Sequence, residues 1–123
     1  MGSIKSFEDI EAWQKARLFC KDIYVITQEG SFSKDFGLRD QIRRAAVSIV
    51  SNIAEGFERL SDKEFARFLT FSKASAGEVR AQLYIAFDLA YINTTVFENL
   101  KEQIIVISKM ISKLITYLNT KTM

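Results

Sequence analysis

Short polar side chains recur at helical spacing between residues 43 and 59. Side chains three and four positions apart share one face of an α-helix, so these residues form a polar stripe with an apolar stripe beside it. An ordinary solvated face would carry more lysine and glutamate, and less serine and asparagine. We interpret the stripe either as a hydrogen-bond network that fixes helix packing or as a binding surface. With a glutamate on the following helix, its residues are Arg44, Ser48, Asn52, Glu55, Arg59 and Glu78.

Glu55 and Glu78 form a candidate pair of carboxylates on neighbouring helices. Paired carboxylates can perform acid–base chemistry or bind metals in helical bundles, but di-metal sites normally use Glu-x-x-His motifs. The chain contains no histidine. It also lacks a glycine-rich phosphate loop and a serine–histidine arrangement. The sequence therefore predicts a protein that is not an enzyme and has no cofactor, and ion pairing with arginine is the alternative role of both glutamates.

Basic residues form a second candidate group in the same two helices. Arginine and lysine at helical spacing can contact phosphates, and neighbouring aromatic rings can stack on unpaired bases. Phe65, Phe68 and Phe71 are placed for that role, with core packing as the commoner alternative. Arg44 and Arg59 are assigned to the polar network instead. The predicted nucleic-acid contacts are Arg39, Arg43, Lys63, Arg67 and Lys73.

The composition predicts one domain over residues 1–123, because the chain is short and 48% of its residues are apolar. The net charge of +2 does not by itself indicate nucleic-acid binding. With one cysteine, Cys20, no intrachain disulfide can form. No signal peptide and no apolar run long enough to span a bilayer is visible, so we expect a cytoplasmic protein without a membrane partner.

The elements that must position these residues are four helices, expected at about 7–28, 38–59, 62–91 and 96–119. Ser6 is the predicted cap of the first helix. The starts of the third and fourth helices are marked by capping boxes, one from Ser61 to Glu64 and one from Thr95 to Glu98. Apolar residues in the last two helices recur in steps of three and four, the period of a bundle seam. The predicted fold is all-α, an antiparallel up-down-up-down four-helix bundle.

Glycines and aromatic residues mark the predicted loop and the positions at which helix geometry or helix packing is unusual. Residues 30–37 are the longest predicted loop, and Phe32 and Phe36 are expected to attach it to the core. Gly56 and Gly77 lie inside predicted helices. Glycine there costs up to about 1 kcal/mol relative to alanine, so each needs a reason. We assign a close helix–helix approach to Gly77 and a bend or helix end to Gly56.

The fourth helix carries more apolar surface than one seam needs. Residues outside the seam, which would form a large apolar patch if exposed, are Ile105, Val106, Met110 and Ile115. Monomers avoid such patches, so this helix predicts self-association. A broad core-facing side in a small bundle is the alternative explanation.

Motifs along nearly the whole chain, from Phe7 to about Leu118, resemble one family of helical bundles. The resemblance begins at residues 7–10 and 13–16 and is most specific at residues 41–49 and 51–57; residues 63–69 and the sites Ser75, Glu78 and Leu83 add to it. The family was first noticed as proteins encoded within intervening sequences of bacterial 23S ribosomal RNA genes. Where the family usually has a proline that bends helix 2, this chain has Val50.

The resemblance implies an assembly rather than a reaction. Family members form homopentameric rings of bundles, and they look similar to an accessory protein of diversity-generating retroelements that engages nucleic acid and a reverse transcriptase. We therefore expect a non-enzymatic homo-oligomer, a pentamer by resemblance, that serves as a scaffold for RNA or for an RNA-processing protein. The alternative is a protein-interaction adaptor with no nucleic-acid role.

Overall fold

The computed structural model describes residues 4–121 as a bundle of four helices, with no strand in that part of the chain. The helices are α1 (Glu11–Thr27), α2 (Phe36–Glu58), α3 (Asp62–Asp88) and α4 (Thr94–Lys121). Consecutive helices pack on each other, and α4 also packs on α1. These elements confirm the predicted all-α four-helix fold. Helix α2 runs through Val50 without interruption.

The apolar seams meet in one core that all four helices share. Amphipathic helices gain most of their stability by burying such a stripe against their neighbours. The largest fully buried side chains of the core are Phe19, Ile23, Phe32, Ile42, Ile49, Ile53, Leu69, Leu83, Ile104, Ile107, Ile111 and Leu118.

The starts of α1 and α4 differ from the predicted ones. The Asp9 carboxylate accepts the backbone N–H of Ser6 at 3.2 Å, which closes a short 3-10 turn, Phe7–Asp9, ahead of α1. The predicted cap Ser6 therefore belongs to that turn. Asn93 Oδ1 accepts the Val96 N–H at 2.8 Å, so α4 begins at Thr94, before the predicted box. The start of α3 is as predicted, with Ser61 Oγ accepting the Glu64 N–H at 3.3 Å.

The predicted loop at 30–37 is mostly structured. Gly30–Lys34 forms a 3-10 helix that begins with a positive φ of 52° at Gly30. Phe32 is fully buried, as predicted, but Phe36 is 64% exposed. The expectation for Phe36 was wrong because that ring lies in the first turn of α2 and packs under the Arg39 guanidinium, 4.7 Å away.

Asp35 joins the start of α2 to the connection between α3 and α4. One carboxylate oxygen accepts the Leu38 N–H at 3.1 Å and caps α2, and the other accepts the Tyr91 hydroxyl at 2.9 Å. This hydrogen bond is the main reason why the pKa of Tyr91 is raised, since it holds the neutral phenol. The Tyr91 ring also lies 5.2 Å from that of Phe32.

The close approach between α2 and α3 occurs at Gly56 and not at Gly77, where the sequence predicts it. A Cβ atom added at Gly56 would lie 2.7 Å from Phe68 Cβ and 3.1 Å from Phe65 Cδ1. At Gly77 it would have no heavy atom within 4 Å among the described residues, apart from its chain neighbours and the backbone of its own helix. The assignment of Gly77 was wrong because the seam passes beside that position, which is exposed.

Candidate functional site

The predicted polar network is connected only at its centre, between α2 and α3. Asn52 Nδ2 donates to the Ser48 carbonyl and to Ser48 Oγ, both at 2.9 Å. Ser48 Oγ also accepts the hydroxyl of Ser75 on α3 at 2.9 Å. Beside them, Ser72 Oγ donates to the Ile49 carbonyl at 2.8 Å. This group is half-buried and links the two helices, so it has the geometry of a packing device.

The remaining members of the predicted network lie on the surface. Glu55 pairs with Arg59 at 3.2 Å, with both side chains about half exposed. Glu78 is exposed and accepts from Gln82 Nε2 at 3.2 Å. Arg44 is exposed and has no hydrogen bond or ion pair within residues 4–121. Around the axis of α2, Glu55 lies only roughly 20° from the exposed Arg44, whereas Asn52 lies roughly 80° from it. One edge of the stripe therefore faces α3 and the other edge faces solvent.

The structure does not bring Glu55 and Glu78 together as a carboxylate pair. The bond between Ser48 and Ser75 fixes the antiparallel register of α2 and α3. Glu78 consequently stands opposite the turn that holds Arg44, about 15 Å along α2 from Glu55. Within residues 4–121, no three histidine, cysteine, aspartate or glutamate side chains are grouped to hold a metal ion.

Two of the five predicted nucleic-acid contacts already form ion pairs with carboxylates. Arg39 donates to the Asp40 carboxylate at 2.9 Å and to the Ser33 carbonyl at 3.0 Å. Arg67 lies 3.4 Å from the Glu64 carboxylate and near the ring of Phe71. These ion pairs reduce the net positive charge that the two arginines present to a ligand.

Lys63 and Lys73 are exposed, and neither has an ion pair within the described part of the chain. Arg67 stands opposite Gly56, which is about 20 Å from Arg43 along α2. The five predicted contacts are therefore spread along the α2–α3 pair, with Arg39 and Arg43 near the start of α2 and Lys63 and Arg67 near the start of α3, at the opposite end.

Arg43 is held in place by residues on α1 that sequence reasoning missed. Its Nε donates to Thr27 Oγ1 at 2.8 Å, and its guanidinium lies 4.7 Å from the ring centre of Tyr24. Thr27 is fully buried and its hydroxyl donates to the Ile23 carbonyl at 2.8 Å. Arg43 borders a shallow depression with Tyr24 and Arg44, in which Asp40, Val47 and Ser48 complete the lining. The fixed geometry leaves both terminal nitrogens of Arg43 available to an anion.

A second concave surface lies between α1 and α4 and is largely apolar. Leu18 from α1 and Val106 from α4 line it, and they are 62% and 40% exposed. Val25, on the same side of α1 as Leu18, is 45% exposed. We call this surface the α1–α4 groove; its remaining lining residues are Lys15, Asn99, Glu102, Gln103 and Ile107. Of the surplus apolar residues predicted on α4, Val106 is exposed, and Ile105, Met110 and Ile115 are partly buried.

The connected part of the polar stripe predicts unequal effects of two alanine substitutions. Asn52→Ala removes two hydrogen bonds from the half-buried group and should lower the free energy of unfolding by about 1 kcal/mol. Glu55→Ala removes only an exposed ion pair and should change it by less than about 0.5 kcal/mol. Urea unfolding followed by circular dichroism measures both. An effect of Glu55→Ala as large as that of Asn52→Ala would contradict this division of the stripe.

None of the helices within residues 4–121 combines the length and apolar character that a bilayer-spanning segment needs.

Cys20 is partly buried, and this burial raises the pKa of its thiol. A raised thiol pKa lowers the fraction of reactive thiolate at neutral pH.

Comparison with known proteins identifies the family of this bundle. The model of the 23S rRNA-intervening sequence protein family matches residues 8–113. A solved protein of unknown function from the S23 ribosomal protein family of Bacteroides thetaiotaomicron is similar, with a TM-score of 0.79 and 24% sequence identity over 85% of this chain and 95% of that chain. At that identity the likeness concerns the fold alone. No curated protein matches the chain. Since the family model spans most of its length, the chain belongs to the 23S rRNA-intervening sequence protein family.

Proposed function

We propose that this protein is a non-enzymatic scaffold that assembles from several copies of itself and associates with RNA. The observation that carries the proposal is the α1–α4 groove, in which Leu18 and Val106 are substantially exposed. Contiguous apolar surface on a soluble protein commonly marks an interaction site. The family resemblance supplies the number of copies, five, arranged in a ring.

A second copy of the chain is the occupant that we propose for the α1–α4 groove. The lining combines apolar side chains with a lysine and a glutamate, Lys15 and Glu102. Apolar surface accompanied by polar and charged groups is the usual composition of a protein–protein interface. Opposite charges on one surface also allow it to meet a second copy without net repulsion.

The proposed association with RNA rests on the family and on the anchored arginine. The family is that of the 23S rRNA-intervening sequence proteins. Arg43 is oriented by Thr27 and Tyr24, and its unpaired neighbour Arg44 borders the same depression. Several copies in one assembly would combine weak phosphate contacts by avidity if one RNA reaches several subunits. A chain of net charge +2 could bind RNA in this way.

The alternative function is a protein-interaction adaptor without a nucleic-acid role, and the α1–α4 groove also favours it. An apolar groove between two helices is the kind of surface that receives an amphipathic helix of a partner. Binding to RNA separates the two functions, because only the scaffold needs it.

Light scattering on the unaltered protein tests the assembly. At micromolar concentration we expect a mass several times 14.1 kDa, and five times that mass for the pentamer. The mass of a single chain under these conditions would contradict self-association and would leave the adaptor as the better account of the groove.

A further inference from the structure

The side of the bundle between α1 and α2 carries a second groove, which is basic. Two adjoining depressions share Tyr24 and Val47. Arg43 and Arg44 border one of them, and Arg17 and Lys21 border the other; Asp40, Ser48, Cys20, Val50 and Ser51 complete the lining. We call the two together the α1–α2 groove. Its cations are Arg17, Lys21, Arg43 and Arg44.

The positive charge of this groove is not neutralised by the protein. None of its four cations forms an ion pair within residues 4–121, whereas Arg39, Arg59 and Arg67 each do. Asp40 is the sole carboxylate in the lining, and Arg39 binds it at 2.9 Å. Unpaired cations clustered in a concave surface favour a polyanionic ligand.

Acidic residues on α1 lie away from the groove. Asp22 is two positions from Cys20, which places it roughly 160° around the helix from this side. Leu18 in the α1–α4 groove lies about 100° around α1 from Arg17. Lys21 is closer, about 60° around α1 from Leu18. An assembly formed through the α1–α4 groove is therefore compatible with an α1–α2 groove whose other three cations, Arg17, Arg43 and Arg44, face away from the interface.

The groove is also organised in advance. Arg43 uses Nε for Thr27 and stacks on Tyr24, so its side chain has little freedom left to lose when an anion binds its terminal nitrogens. Arg17 and Tyr24 are seven residues apart, which separates the two cation pairs by about 10 Å along the helices. Between the pairs, Tyr24 and Val47 are 37% and 41% exposed and offer apolar surface.

We infer that the α1–α2 groove binds the phosphodiester backbone of single-stranded RNA, an inference that rests on the proposed association with RNA. A positive groove with an aromatic side chain is the usual arrangement for a single strand, which lays its phosphates on the cations and a base or ribose on the apolar surface. Its four cations can contact phosphates next to any base. The binding is therefore to the backbone and has little sequence preference.

The test compares two double charge reversals of equal size in the full chain. Lys21→Glu with Arg44→Glu changes the groove at two exposed residues that hold no other side chain. Lys63→Glu with Lys73→Glu is the matched control on α3. The sequence predicts both lysines as RNA contacts, but they lie outside the α1–α2 groove; both are exposed and have no ion pair in the described part of the chain. The probe is a fluorescent 20-nucleotide RNA without base pairing, titrated by anisotropy at about 50 mM salt, where the phosphate interaction is strong.

We expect the groove variant to bind at least about tenfold more weakly and with a shallower salt dependence, because phosphate contacts and the counterions that they release are lost. The affinity of the control for RNA should be within about threefold of that of the unaltered protein, since its substitutions change only the overall electrostatic potential of the protein. Both variants should keep the circular dichroism spectrum and the assembled mass.

The outcomes separate this inference from the proposed function. In one outcome the unaltered protein binds RNA and the groove variant binds it equally well; in another the control loses as much affinity as the groove variant. Either result overturns the α1–α2 groove as the RNA site and leaves the proposed RNA-associated scaffold unaffected. Absence of RNA binding by the unaltered protein at about 50 mM salt overturns the RNA association itself, and the inference with it.

Discussion

Gly56→Ala should lower the free energy of unfolding by about 2 kcal/mol, although alanine is the better helix former. The added methyl group would lie 2.7 Å from Phe68 Cβ, an atom fixed directly to the α3 backbone. It would also lie 3.3 Å from the Phe65 carbonyl oxygen. A rotamer change cannot relieve these contacts, so α2 and α3 must move apart and loosen the core between them.

Gly77→Ala is the matched control for this prediction. It adds the same methyl group inside α3, where no described heavy atom lies within 4 Å. The gain in helix propensity should then raise the free energy of unfolding by up to about 1 kcal/mol. Both variants are measured by urea unfolding at one protein concentration, because unfolding of an assembly depends on concentration. Stabilisation by both substitutions would show that the two helices are not in close contact at Gly56.

Leu18→Glu combined with Val106→Glu should dissociate the assembly into folded single chains. Both side chains border the α1–α4 groove and are substantially exposed in the single chain, so the substitutions leave the core intact. In an assembly they would bury unpaired carboxylates, which costs several kcal/mol. Light scattering should then give 14.1 kDa at micromolar concentration.

Leu60→Glu provides the control for the charge introduced. Leu60 is 90% exposed and lies in the turn between α2 and α3, away from the α1–α4 groove. This variant should retain the full assembled mass. Dissociation by Leu60→Glu, with the mass of the Leu18 and Val106 variant unchanged, would place the interface on another side of the bundle.

The number and type of the helices could be predicted from the sequence because the signals are local. Seams with steps of three and four specify a helix and its buried side, and Ser61 marks a helix start. The start of α4 was displaced because Asn93 is an equally good cap two residues before Thr95. The 3-10 turn before α1 likewise depends on the Asp9 side chain, which can accept bonds in more than one local conformation.

Features that depend on helix register could not be predicted in the same way. Gly56 and Gly77 both lie inside helices, and only the packing of α2 on α3 decides which of them meets the neighbouring helix. The polar stripe has the same limitation. Its residues follow helical spacing, but the position of α3 determines that Asn52 and Ser48 are enclosed while Glu55 stays in solvent.

The candidate RNA surface depends on contacts between residues distant in sequence. Arg39 and Arg67 look equivalent to Arg43 in the chain, yet both find a carboxylate partner. Arg17 and Lys21 lie more than twenty residues before Arg43 and join it only because α1 packs on α2. The buried hydroxyl of Thr27 gave no sequence signal, since a threonine at a helix end commonly serves other roles.

The most direct test of an RNA-associated assembly is sedimentation of the unaltered protein with a fluorescent single-stranded RNA, recorded by protein absorbance and by fluorescence in one experiment. We expect the protein to sediment as an assembly of several 14.1 kDa chains. The RNA should sediment with the protein at about 50 mM salt and should dissociate from it as the salt concentration is raised. An assembled protein that leaves all of the RNA behind at about 50 mM salt, where phosphate contacts are strongest, would contradict the account and favour the adaptor.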